Sequence, residues 1–322
     1  MKIVTQQDVV KNFMSILDKN LSCNAMTMLN KAVRGVTNNK CTTIDKSVQD
    51  MVNQCATYKG NGNAFLKEKC GIFLNNEDTG AISGADAGGV LKTAKSVIKE
   101  SGSKLRLGSE YDSYRVWYDN KDSNLIVNYT DVGTVTNDKQ HIMDCAYTWW
   151  MPNIVKLIDE SYGYSFADSN ATLKKIYLLF ENGTGYLATT DYYRDGIKIA
   201  VNLDYYNSFK SDDYNCTSPN GQGYLDRTVA HETVHAIMMS KFKNRFWELP
   251  QFITEGTAEL IHGIDDFRTN EIKALANDYN HLSIKLTDMN RGTGDSLSYA
   301  AGYMFLRWLA KQNSNSVKAG TF

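Results

Sequence analysis

The chain is expected to fold as an α+β protein, with helices first, a small mixed sheet in the middle, and helices again to the end. Three observations carry this. Over the first hundred residues, apolar positions recur at helical spacing. After "SGSKLRLGSEYD" the pattern changes to short β-rich runs, "YRVWY", "NLIVNY", "KKIYLLF" and "IKIAVNL", separated by turn residues. From about residue 223 the helical pattern returns. Strands gathered between blocks of helices describe an α+β arrangement rather than a repeating βαβ one.

Taken in order, Thr5 and Asp8 suggest a capped start for a helix with Val9, Phe13 and Leu17 on one face. A second helix is expected over Ala25–Val36, and a third carries Ile44, Val48, Met51, Val52 and Cys55. "NAFLKEKCG" reads as a short helix that Gly71 can end. Between the second and third strands, a helical segment near 138–162 offers Met143, Ala146, Trp150, Leu157 and Ile158 to the core. The change of pattern places a boundary near residue 105. Residues 1–105 are expected to form a helical accessory module, and residues 106–322 the functional unit.

Composition narrows the classes. The 322 residues are 42% hydrophobic and 22% charged, with a formal net charge of −1. That balance gives no reason to expect nucleic acid as a partner. No apolar run approaches the roughly 18 residues of a membrane span, and Met1–Val10 lacks the basic start and apolar segment of a secretory signal. The six cysteines show no C-x-x-C spacing, so no metal cluster is read in them, and they read as buried thiols rather than a disulfide framework. Nothing in the sequence sets the oligomeric state.

One stretch stands apart. In "DRTVAHETVHAIMM", Val229, Ala230, Val234, Ala236 and Ile237 describe a buried helix, yet His231, Glu232 and His235 sit inside it. The chain has only five histidines. Two of them four apart share a helix face, so both imidazoles can point at one ion, and Zn²⁺ favours such nitrogen ligands. Glu232 then suits the general base that takes a proton from an attacking water and passes it to a leaving amine. A satisfied core histidine pair is the plainer alternative. A catalytic zinc needs a third protein ligand, and "LPQFITEGTAELIHG" supplies candidates. This reads as a helix begun by Pro250 and ended by Gly263. Glu255 and Glu259 lie one turn apart on it, among the small residues Gly256, Thr257 and Ala258, which would let it approach the first helix closely.

H-E-x-x-H followed by E-G-x-x-E resembles the gluzincin metalloproteases, which include thermolysin and the clostridial collagenases. Nineteen residues lie between His235 and Glu255, a gluzincin interval. "LDRTVAHETVHAIM", "LPQFITEGTAELIHGIDD" and "YAAGYMFLRWLAKQ" are closer still to the flagellinolysins, related to the collagenase peptidase unit. The resemblance covers about residues 220–312. It implies a zincin-like catalytic unit with zinc on His231, His235 and Glu255, and Glu259 behind a ligand histidine. It also implies that Tyr299, just before the glycine of its helix, stabilises the oxyanion, with Tyr303 as runner-up. In such enzymes an edge strand, here expected in "GIKIAVNLDYY", pairs with the peptide substrate. The long flagellin-type terminal helices are missing, which speaks against a filament role. The resemblance further implies an exported, extracellular or cell-surface protein.

A second ion is suggested by "NNEDTGAISGAD". Counting from Asn75, oxygen-bearing Glu77, Thr79 and Asp86 fall at the third, fifth and twelfth positions, with Gly80 at the sixth, as in a Ca²⁺ loop. A polar glycine-rich turn is the alternative. For the whole chain, the expectation is a zinc endopeptidase. An aminopeptidase is the nearest rival, although no G-x-M-E-N run stands upstream. A calcium-stabilised interaction protein without activity is the rival of another class.

Overall fold

The computed structural model describes residues 6–38, 40–72, 74, 116–117, 125–129, 142, 145–146, 150–164, 175–181, 185–206, 225–265, 268–287 and 295–318. The expected calcium loop (Asn75, Glu77, Thr79, Asp86) lies outside these residues. The described elements are helices together with a five-stranded mixed sheet, an α+β composition, and they group into two compact units.

The first unit holds the sheet. Its strands are β1 (Val116–Trp117), β2 (Leu125–Tyr129), β3 (Ile176–Glu181), β4 (Ala188–Tyr193) and β5 (Gly196–Asn202), in the order β1-β2-β3-β5-β4. β2, β3 and β5 run parallel, while β1 and β4 close the two ends antiparallel. β3 and β5 are near-continuous apolar runs and almost wholly buried, as central strands covered on both faces are. β4, "ATTDYY", is half exposed. This corrects one expectation: "GIKIAVNL" is paired on both sides by β3 and β4, so it is not the edge. The edge is β4. Its hairpin to β5 escaped the sequence reading because "ATTDYY" makes no apolar run; the turn is Arg194–Asp195, where Arg194 adopts φ 50°. Asp195 closes the turn by accepting from Lys175 Nζ at 2.6 Å and from the Tyr177 hydroxyl. Those two donors, Lys175 foremost, hold its carboxyl down at about 2.

The same unit contains α5 (Met151–Tyr162) as far as Glu160 and α6 (Leu225–Phe242) as far as Lys241. Asp226 sits in the first turn of α6, where a negative charge complements the helix dipole. Val229, Ala230, Val234, Ala236, Ile237, Met238 and Met239 are all buried. The helix is buried nearly all round, so His231, Glu232 and His235 in its middle are inside the fold.

The second unit is helical: α1 (Gln6–Asp18), α2 (Ala25–Val36), α3 (Ile44–Thr57), α4 (Gly62–Phe65), α7 (Gln251–His262), α8 (Thr269–Asn277), α9 (Tyr279–Thr287) and α10 (Ser296–Lys318). The side chains of Asn24 and Thr43 cap α2 and α3 by accepting from Thr27 and Lys46 backbone N–H groups. Gly71 ends the helical turn after α4 with φ 66°. The N-terminal helices do not stand apart as a module cut near residue 105. α1 packs on α10 and α3 on α9. Across these contacts the Trp308 indole donates to Gln54 at 3.0 Å, and the Gly62 N–H donates to Asn277 at 3.0 Å. Short amphipathic helices have one apolar stripe each to bury, and here the C-terminal helices supply the opposing surface.

α7 and α10 cross at two glycines. A Cβ at Gly302 would stand 1.9 Å from the Phe252 carbonyl oxygen, and one at Gly256 would stand 2.3 Å from the Gly302 carbonyl carbon. Gly256 was expected to admit the histidine helix. Its missing side chain admits α10, and fixes the register between Glu255 and the Tyr299 helix.

Candidate metal centre

On α6, His231, Glu232 and His235 are buried. The two imidazoles stand edge to face, 4.7 Å between centroids, and their Nε2 atoms are 3.1 Å apart. One tautomer makes this a ring-to-ring hydrogen bond. The same separation suits two ligands of one ion: tetrahedral nitrogens at about 2.05 Å from zinc stand about 3.3 Å from each other. Glu232 is held from the sheet. Thr190, on edge strand β4, donates to Glu232 Oε2 at 2.6 Å and also lies 3.1 Å from the Glu232 carbonyl. Two residues further along, the Tyr192 hydroxyl reaches the Met239 carbonyl at 3.4 Å. The Thr190 side of β4 therefore lies along α6, and the carboxylate of Glu232 has a fixed orientation.

On α7, Glu255 is half-buried, while Glu259 and His262 are 1% and 3% exposed. Arg268 Nε donates to Glu259 Oε1 at 2.9 Å, and His262 Nε2 lies 2.9 Å from Glu259 Oε2. His262 Nδ1 is 2.9 Å from the Gly263 carbonyl. Oxygen atoms thus face both ring nitrogens of His262. Glu259 sits between the Arg268 guanidinium, which donates to Oε1, and the His262 imidazole near Oε2.

The two tyrosines separate clearly. Tyr303 is fully buried; its hydroxyl donates to Asp265 Oδ1 at 2.7 Å and accepts from Arg307 Nη1 at 2.8 Å. Burial pushes its phenol well above the ordinary range. Arg307 also donates to the Gly71 carbonyl, so this hydroxyl belongs to a network inside the helical unit. Tyr299 is half-buried one turn earlier, with the Arg268 guanidinium 4.9 Å from its ring centroid.

Largely buried His and Glu groups that could hold a metal ion are present among the described residues. Glu259 and His262 are engaged with each other, with Arg268 and with Gly263. His231 and His235 offer a converging Nε2 pair, and two imidazoles with one carboxylate would make a zinc-type donor set. All five described cysteines are free thiols, and burial pushes Cys55 up to about 11 and Cys70 further. No described helix is long and apolar enough to cross a membrane.

No protein-family model, curated protein or solved structure matches the chain.

Two residues of this neighbourhood escape a sequence reading. Thr190 lies in a strand, "ATTDYY", that makes no apolar run. Arg268 lies in "DDFRTN", which nothing links to a tyrosine 31 positions on. His262, seven residues after Glu255, reads in the sequence either as a helix-end residue or as one that reaches the substrate.

Proposed function

We propose that this protein is a zinc-dependent endopeptidase of gluzincin type, with a zincin-like catalytic unit. Its zinc is held by His231, His235 and Glu255. The observation that carries the reading is the buried Nε2 pair, 3.1 Å apart, beside a Glu232 carboxylate fixed by Thr190. When bound, the ion supplies Lewis-acid polarisation of the attacking water and the substrate carbonyl. Glu232 takes the water's proton on its carboxylate and later gives it to the leaving amine. Tyr299 donates its O–H to the oxygen that gains charge during attack. Glu259, anchored by Arg268 and His262, supports a ligand histidine from behind. An extended peptide adds to the sheet along β4, an end strand of the sheet among the described residues. Thr190 of that strand already touches Glu232, so peptide alignment and base position share one element.

Purified protein is expected to carry about one zinc ion per chain and to cleave blocked peptides, which have no free N-terminus. His235→Ala should lose the metal, since two remaining ligands make a poor site. Elemental analysis showing full zinc in that variant would overturn the ligand assignment.

A further inference from the structure

We infer that Arg268 is a positioning residue that sets Tyr299 and Glu259 together. The inference rests on the peptidase reading above and adds a residue to it. Arg268 stands at the N-terminal boundary of α8, and its backbone is tied on both sides. Its N–H donates to the Ile264 carbonyl at 2.9 Å, and its own carbonyl accepts from Ile272 at 3.0 Å. From that fixed base the side chain, 17% exposed, does two things at once. Nε donates to Glu259 Oε1 at 2.9 Å, and the guanidinium carbon lies 4.9 Å from the Tyr299 ring centroid, within cation–π range.

Both contacts bear on the proposed chemistry. Glu259 is the carboxylate assigned to steady a ligand histidine, and Arg268 donates to its Oε1 while His262 Nε2 lies 2.9 Å from its Oε2. The cation on the Tyr299 ring face restrains the ring, which otherwise turns about two side-chain torsions. It also draws electron density from the ring, which makes the phenol O–H a stronger donor where charge develops. A planar guanidinium can stack and donate through Nε simultaneously, whereas a lysine ammonium is a point charge that cannot do both. Arg268 touches no reacting atom in this account. It acts through Tyr299 and Glu259.

The test is a cycle on the zinc-loaded full chain with Arg268→Lys, Arg268→Met, Tyr299→Phe and the double variants, measuring kcat and KM on a blocked peptide. Urea unfolding is measured on the same proteins. Arg268→Met is expected to lower kcat by about 10–100-fold, the range for residues that orient a metal site, with KM within about 2-fold. Arg268→Lys keeps the charge near Glu259 and should recover only part of that loss. In the Tyr299→Phe background, the further loss from Arg268→Met should fall below about 5-fold, because part of what Arg268 holds is already gone. Arg268→Met should shift the unfolding midpoint equally in the wild-type and Tyr299→Phe backgrounds, because phenylalanine keeps the ring that Arg268 faces, so coupling confined to kcat marks a role in positioning the hydroxyl rather than in stability. If wild type hydrolyses the peptide but the kcat losses simply multiply, the positioning role is wrong while the peptidase reading stands. A wild-type protein without peptidase activity overturns the reading and this role with it. Should Arg268→Met fail to fold, the Arg268→Lys cycle decides by the same criterion.

Discussion

Tyr299 and Tyr303 are one turn apart on one helix, and their environments assign them different work. The Tyr303 hydroxyl is spent between Asp265 and Arg307 inside the core. Removing it should cost about 1–3 kcal/mol of stability, because it leaves buried polar groups short of a partner. Tyr299→Phe keeps the ring and its contact with Arg268 and deletes only a donor. It is expected to leave fold, zinc content and KM nearly unchanged and to lower kcat by about 10²–10³, the usual loss for one oxyanion donor. Steady-state kinetics and urea unfolding on both variants check this. A crippling Tyr303→Phe beside a near-wild-type Tyr299→Phe would shift the assignment by one turn. At this scale the sequence was informative where spacing along one helix decides geometry, as for His231, Glu232 and His235. It was silent where partners come from distant segments, as for Thr190 and Arg268, since no local period encodes a contact across dozens of residues.

Elements were legible where periodicity and caps agree. α2, α3 and α7 begin and end near the expected residues because Asn24, Thr43, Pro250 and Gly263 mark their ends. β4 was missed, and with it the identity of the sheet edge, because Thr, Asp and Tyr on a half-exposed edge make no apolar run. The α7–α10 crossing could not be read either: Gly256 declares a close approach but not to what. That crossing makes a sharp prediction. Gly302→Ala drives a methyl group into the Phe252 carbonyl and must push the helices apart, so the loss is expected to be about 3 kcal/mol or more, at the upper end for overpacking. Gly185, whose Cβ would meet nothing within 4 Å, is the control, and Gly185→Ala should stay within about 0.5 kcal/mol. Denaturant unfolding of the two variants decides. Equal, small effects would mean that the helices do not touch at their glycines.

At the scale of the whole chain, the N-terminal helices share a core with the C-terminal ones, where the sequence suggested a separable module. Composition changes along a chain mark where the local pattern switches; they do not say which distant faces bury one another. A chain beginning at residue 106 is therefore expected to lose the packing of α8–α10, and to show reduced helicity by circular dichroism and an uncooperative melt. A cooperative, fully helical product would instead restore the boundary near residue 105. The central claim, that a bound zinc and Glu232 together hydrolyse peptide bonds, is reached most directly by one measurement on Glu232→Ala: zinc content and peptide cleavage in the same sample. With Glu232 as the proposed base and not a ligand, zinc should remain at about one per chain while cleavage is essentially abolished. Loss of zinc together with activity would place Glu232 among the ligands, and retention of cleavage would contradict the account outright.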